Sequence, residues 1–139
     1  MILLDTSGLL SALFSDQNRH AESKEVIENA DRPLVLSPFV LAEVDYLVRK
    51  YADVGVELEL LDEVASGAYA LASFGFDDVG AAARVIDRYR DLDIGLADAS
   101  IVVLADRAGT TDVLTLDERH FRAMRALNGE TFRLLPADR

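Results

Sequence analysis

The chain has no cysteine, no tryptophan, and only two histidines and two lysines (Lys24 and Lys50) in 139 residues. Without thiols there can be no disulfide, Cys-ligated zinc, iron–sulfur cluster or thiol nucleophile, and this composition suits a cytoplasmic protein. His20 and His120 are far apart in sequence and form no zinc motif. No apolar run approaches the roughly 18 residues of a membrane span. The opening Met-Ile-Leu-Leu meets an acid at Asp5, too soon for a secretory core and without a basic flank, so no membrane association is expected. A G-x-S-x-G elbow, a G-x-x-x-x-G-K-[ST] loop and a G-x-G-x-x-G fingerprint are also missing, which removes hydrolase-elbow, P-loop and dinucleotide chemistry.

Positive charge is scarce as well. The 14 basic and 25 acidic residues leave a net charge of −11, which as one number argues against a nucleic-acid partner. The distribution says otherwise. Residues 1–80 hold 5 bases and 15 acids, whereas residues 81–139 hold 9 bases and 10 acids. Phosphate affinity needs local cations, not a positive total. Arg119, Arg122 and Arg125 follow one another closely, and Arg84 and Arg88 stand at i, i+4.

What is abundant is apolar: half of the residues are hydrophobic, which excludes intrinsic disorder. The length fits one domain able to bury about two thirds of its unfolded surface, and no repeat or linker divides residues 1–139. Short apolar strands are expected at Ile2–Leu4, Leu34–Leu36, Tyr69–Ala72, Val113–Thr115 and Phe132–Leu134. Helices are expected from Ser7 to Phe14, over 20–30, and from Pro38 to about Tyr51 with Ser37 as N-cap. Another follows from an Asp53 cap to Gly67, with Val54, Leu58, Leu61 and Ala65 on its apolar stripe. Asp77–Arg90 would present Val79, Ala83 and Ile86 on one face. Leu96–Ala108 is apolar nearly all round and so reads as a buried helix, with Asp93 as its cap. Strands alternating with helices predict an α/β fold, a parallel sheet covered on both faces.

In such folds ligands bind beyond the carboxyl ends of the strands at the topological switch point. Asp5 ends the first strand and Asp117 follows the fourth by two residues; each could equally cap a helix. Asp98 is more telling. On a helical wheel it falls beside Ile101, Val102 and Ala105, opposite Ser100 and Arg107, and a buried carboxylate is costly unless paired or metal-bound. The wheel does not separate Glu43 from Asp45. At an effective dielectric of 20, two carboxylates about 4 Å apart repel by roughly 4 kcal/mol, so a cluster of them calls for cations. Oxygen-only ligands suit Mg²⁺ or Mn²⁺, and the matching chemistry is phosphodiester or phosphoryl transfer.

Four short motifs occur in order: Ile-Leu-Leu-Asp5-Thr6-Ser7, Phe-Val-Leu-Ala-Glu43-Val, Leu-Ala-Asp98-Ala-Ser-Ile, and Leu-Thr115-Leu-Asp117-Glu-Arg-His-Phe121. Their order and intervals resemble the PIN-domain ribonucleases, in particular the toxins of VapBC-type toxin–antitoxin pairs, over essentially the whole chain. The resemblance implies a three-layer α/β/α fold with about five short parallel strands. It also implies an acidic site at Asp5, Glu43, Asp98 and Asp117, with Thr6 shaping it, and so favours Glu43 over Asp45. It further implies Mg²⁺-dependent cleavage of transfer or ribosomal RNA leaving a 5′-phosphate and 3′-hydroxyl. A homodimer, and an antitoxin whose C-terminal segment blocks the site, complete what the family leads one to expect. Beside the resemblance, Arg119, Arg122 and Arg125 read either as RNA contacts at the border of the cleft or as solvated arginines paired with surface acids.

Two other readings fit less well. A receiver or dehalogenase-type phosphotransferase also places aspartates at strand ends, but it uses a late lysine, and none follows Lys50. A PIN-like interaction module without activity would be expected to lose site acids, and all four are present. His120 reads as a surface residue, and Tyr46, Tyr51 and Phe121 as core or interface aromatics.

Overall fold

The computed structural model describes residues 1–139. Its strands are β1 (Ile2–Leu4), β2 (Leu34–Leu36), β3 (Ala70–Leu71), β4 (Asp112–Leu114) and β5 (Arg133–Leu135). Its helices are α1 (Thr6–Leu13), α2 (His20–Asn29), α3 (Pro38–Tyr51), α4 (Val54–Ala65), α5 (Phe76–Arg88), α6 (Leu96–Ala108) and α7 (Glu118–Ala123), with a 3₁₀ turn at Arg90–Leu92. All strands run parallel in one sheet of order β3-β2-β1-β4-β5. The triplets of β1 and β2 are buried throughout, as a parallel sheet sandwiched between helices requires. The expected α/β/α architecture is therefore what forms. Strand β4 begins one residue earlier than expected and β5 runs one residue later at each end, while the edge strand β3 shrinks to two exposed residues.

The sheet order puts the switch point between β1 and β4. The chain leaves β1 toward β2 on one side and returns to β4 on the other, so the loops after β1 and β4 diverge and open a crevice. Gly8 makes this geometry possible. A Cβ there would lie 2.2 Å from the Leu114 carbonyl oxygen, so only glycine lets the first turn of α1 press against the end of β4.

Helix α6 is buried from Ala99 to Ala105, as its composition predicts. Ser100 is a correction to the wheel: it is fully buried, bonded to Ser37 Oγ at 2.7 Å and to the Ala97 carbonyl at 2.6 Å. Since Ser37 also caps α3 by accepting from the Phe39 N–H, this pair ties α6 to the β2–α3 turn. Asp93 is not the cap of α6; it closes the 3₁₀ turn in the left-handed region, and Gly95 takes the N-cap position. Asp53 does cap α4, accepting from Val56 N–H at 2.9 Å.

Two apolar stripes are rotated from expectation, although Ile86 of α5 does pack against the core. On α4 the buried positions are Glu57, Leu60 and Val64, while Val54 and Leu58 are exposed. On α5 they are Ala82 and Val85, while Val79 is exposed and Phe76 is 99% exposed. Phe121 is a core residue, packed edge-on against Phe132; Tyr46 and Tyr51 are exposed, with Lys50 over both rings.

Candidate metal-binding active site

The crevice at the switch point is a cleft of about 360 Å³ lined by Asp5, Glu43, Asp98 and Asp117, together with Thr6, Ser7 and Gln17. All four acids named from the sequence thus meet in one place.

Asp5 is the anchor. It stands at the N-cap of α1, yet its carboxylate makes no capping bond to that helix. Instead Oδ2 accepts from Thr115 Oγ1 at 2.7 Å and from Ser7 Oγ at 3.1 Å. The register explains the first contact: Leu4 pairs with Leu114, so the next residues, Asp5 and Thr115, come face to face. Asp5 is only 5% exposed, and burial pushes its carboxyl up to about 6, with the nearby Asp98 charge adding to the effect and the two hydroxyls opposing it. Thr115 and Ser7 also receive the Asp117 and Leu116 backbone N–H groups, at 2.9 Å each. These two hydroxyls join the β1 and β4 loops.

Glu43 lies on the exposed side of α3 and accepts from Thr6 Oγ1 at 3.2 Å. Asp45 does not line the cleft but lies beside Glu57 of α4, and its proximity holds the Glu57 carboxyl above its usual range. The tie that helical periodicity leaves open is resolved by which residue meets Thr6.

Asp98 sits in the first turn of α6, half-buried. Burial raises its carboxyl above the ordinary range, and Asp117 and Glu43 push the same way while His120 opposes them. Asp117 is both site residue and cap, since its side chain accepts from the His120 N–H at 3.2 Å.

His120 is the correction among the candidate residues. It is not a free surface side chain: Nδ1 lies 2.9 Å from Asp117 Oδ2 and 3.7 Å from Asp98 Oδ2. That nitrogen is buried and makes no aligned hydrogen bond. Ser7 and Thr115 are the site residues that sequence reasoning missed; His120 can be weighed from sequence as a substrate contact but reads there as surface. For Thr115 the signal existed, a hydroxyl two residues before Asp117, but reading it requires knowing that β1 pairs with β4.

Of the proposed RNA contacts, Arg122 is clamped by Glu118 (2.7 Å) and Asp138 (2.7 Å), which raise its affinity for a proton and neutralise its charge. Arg119 and Arg125 are exposed and pair with no carboxylate; Arg125 reaches only the Gly129 carbonyl.

The donor set fits a hard divalent cation. It offers carboxylate oxygens with two carboxyls held above their normal range, and an unsatisfied imidazole nitrogen beside them. As placed, no three of these groups converge tightly enough to enclose an ion, so binding would draw the carboxylates inward.

The PIN domain profile matches residues 2–127. The chain is 44% identical over 135 residues to Ribonuclease VapC26 of Mycobacterium tuberculosis, covering 97% of this chain and all of that one. The chain therefore belongs to the PIN domain family, among its VapC-type ribonucleases. Among solved structures it resembles VapC20 of M. tuberculosis, described as a Sarcin-Ricin loop cleaving toxin (TM-score 0.78, 17% identity, 86% of this chain and 92% of that one). It also resembles a toxin–antitoxin complex from Klebsiella pneumoniae (TM-score 0.68, 21% identity, 91% and 94%). A third match is VapBC2 from Rickettsia felis bound to promoter DNA (TM-score 0.68, 20% identity, 96% and 98%). At these identities the three structures speak to the fold.

Proposed function

We propose that this VapC-type ribonuclease is the toxin of a type II toxin–antitoxin pair that hydrolyses structured RNA, a transfer RNA or a ribosomal RNA loop. The metal is Mg²⁺, with Mn²⁺ as a substitute, held by Asp5, Asp98, Glu43 and Asp117. The observation that carries this reading is the cleft itself: four carboxylates from four separate elements line it at the sheet's switch point.

When bound, a divalent ion lowers the pKa of its water and stabilises charge on phosphate oxygens. The protein's part is to keep its carboxylates oriented at the cleft. Thr115 and Ser7 fix Asp5, Thr6 restrains the exposed Glu43, and the His120 N–H fixes Asp117. These contacts keep each carboxylate at the cleft and limit how far it has to move when the ion binds. His120 supplies the only imidazole beside the acids, and it offsets part of their mutual repulsion. On the RNA side, Arg119, Arg122 and Arg125 border the Asp117 edge; with Arg122 neutralised internally, Arg119 and Arg125 carry most of the phosphate contact.

The partners follow from the same reading: a cognate antitoxin whose C-terminal segment covers the cleft, and a second copy of the chain in a homodimer. The fold is shared with a toxin–antitoxin complex, which supports the first. No helix is long and apolar enough to cross a membrane, consistent with action on cytoplasmic RNA.

The test is cleavage of cellular RNA by purified protein with Mg²⁺, mapping new 5′-monophosphate ends. Wild type should generate discrete ends that Asp5→Asn and Asp98→Asn do not. Identical end profiles from wild type and both variants would refute the reading.

A further inference from the structure

An arginine in a chain with this excess of acid normally finds a carboxylate. The chain has twelve arginines (14 basic residues less two lysines), and seven stand within 4.0 Å of an Asp or Glu oxygen. Of the five that do not, Arg84, Arg88, Arg119 and Arg125 all fall within the stretch that frames Asp98 and Asp117.

Three of these form a connected strip. Arg84 and Arg88 are exposed one turn apart on α5, on the same flank of the helix. The Arg88 guanidinium lies 5.6 Å from the centre of the Tyr89 ring, and the Tyr89 hydroxyl accepts from the Arg125 backbone N–H at 3.0 Å. Tyr89 therefore buttresses Arg88 through its ring and holds Arg125 through its oxygen. The strip is tied to the site along the chain. Asp117 starts α7 and Arg125 follows its end, while the C-terminus of α5 leads through the 3₁₀ turn to Gly95 and the first turn of α6, where Asp98 lies.

We propose that Arg125, Arg88 and Arg84, joined by Tyr89, form a phosphate track that carries the RNA backbone away from the acid cluster along α5. The track extends the RNA-holding surface of an acidic protein beyond Arg119. It would supply affinity and register rather than sequence readout, since backbone contacts position without specifying bases. It rests on the ribonuclease reading above and adds the direction in which RNA leaves the cleft.

The test measures binding of a fluorescently labelled RNA hairpin across a salt series, with every chain carrying Asp98→Asn so that the probe stays intact. Each lost arginine–phosphate contact should flatten the slope of log Kobs against log[salt] by about 0.7 to 0.9, so Arg84→Gln/Arg88→Gln/Arg125→Gln should flatten it by about 2 to 3. Arg19→Gln/Arg133→Gln/Arg139→Gln removes the same charge from carboxylate-paired arginines and should leave the slope unchanged. An unchanged slope in the first triple variant, or equal flattening in both, overturns the track. If the first triple variant does not fold, single Arg84→Gln and Arg88→Gln variants carry the test, each expected to flatten the slope by about 0.7 to 0.9. Cleavage by the unsubstituted protein, assayed separately at low salt with Mg²⁺, shows whether the ribonuclease reading stands when the track does not. Absence of both cleavage and binding overturns both.

Discussion

The two ends of the sheet carry clefts of similar size and opposite electrostatic character. At the amino ends of the strands, a cleft of about 260 Å³ is lined by Glu25, Asp31, Asp112, Arg133 and Arg139. There the charges pair: Arg133 with Asp112 at 3.3 Å and Arg139 with Glu25 at 3.0 Å, all partly exposed. At the carboxyl ends, four carboxylates line a cleft with no arginine or lysine, and one histidine stands beside Asp117 and Asp98. Cleft size does not distinguish the ends; the balance of charge and its burial do. A surface compensates its acids in place. A site leaves them uncompensated because the compensation arrives with metal and substrate.

The largest expected contrast is in catalysis. Asp98→Asn should lower RNA cleavage by about 10³-fold, equivalent to about 4 kcal/mol of transition-state stabilisation. Asp112→Asn at the other end should leave the rate within about twofold, a factor worth only about 0.4 kcal/mol. Comparable losses in both variants would erase the distinction between the ends.

Next is the dependence of stability on pH. Because the Asp5 carboxyl is pushed up to about 6 from 3.8, ionising it disfavours the fold. Its contribution is favourable below the unfolded value and is lost as pH rises through about 6, amounting to about 3 kcal/mol. With chelator present, Asp5→Asn should therefore raise Tm more at about pH 8 than at about pH 5. Equal effects at both pH values would mean that Asp5 is not held at that cost. Asp138, held below the usual range by Arg122, works in the opposite sense: its support is present above the ordinary carboxylate value and fades on acidification.

Packing between the β1 and β4 loops gives a smaller effect. Gly8→Ala should destabilise by about 1–3 kcal/mol, because the new methyl group meets a backbone oxygen that cannot step aside. It should also weaken cleavage by spreading Asp5 from Thr115; full activity at reduced Tm would show that this approach is structural only. Smallest of all, Arg133→Gln should change stability by less than about 1 kcal/mol, as for other exposed ion pairs. A larger loss of Tm would mean that the amino-end cleft is more than a compensated surface.

Much of the fold was legible because parallel strands covered on both faces leave unbroken apolar triplets such as Ile2–Leu4 and Leu34–Leu36. The helix stripes were not, since Val54 and Leu58 on α4, and Phe76 and Val79 on α5, are apolar yet face outward. Periodicity reports that a helix has an apolar face, not which neighbour covers it. Asp5 and Asp117 were legible from their positions after strands and Asp98 from its place on an apolar helix, whereas Glu43 was separated from Asp45 only by the family resemblance. Their supports were not. Ser7 and Thr115 lie 108 residues apart in sequence and meet only because β1 pairs with β4. His120 stands three residues after Asp117, but its approach to Asp98 on α6 is a tertiary contact that the sequence does not mark.

Titration of Mn²⁺ into the chelator-stripped protein, followed by calorimetry, tests the central claim most directly. Saturable binding is predicted for wild type, lost in Asp5→Asn and retained in Asp112→Asn. Binding that is absent in wild type, or that survives Asp5→Asn unchanged, would contradict the assignment of the carboxyl-end cleft as the metal site.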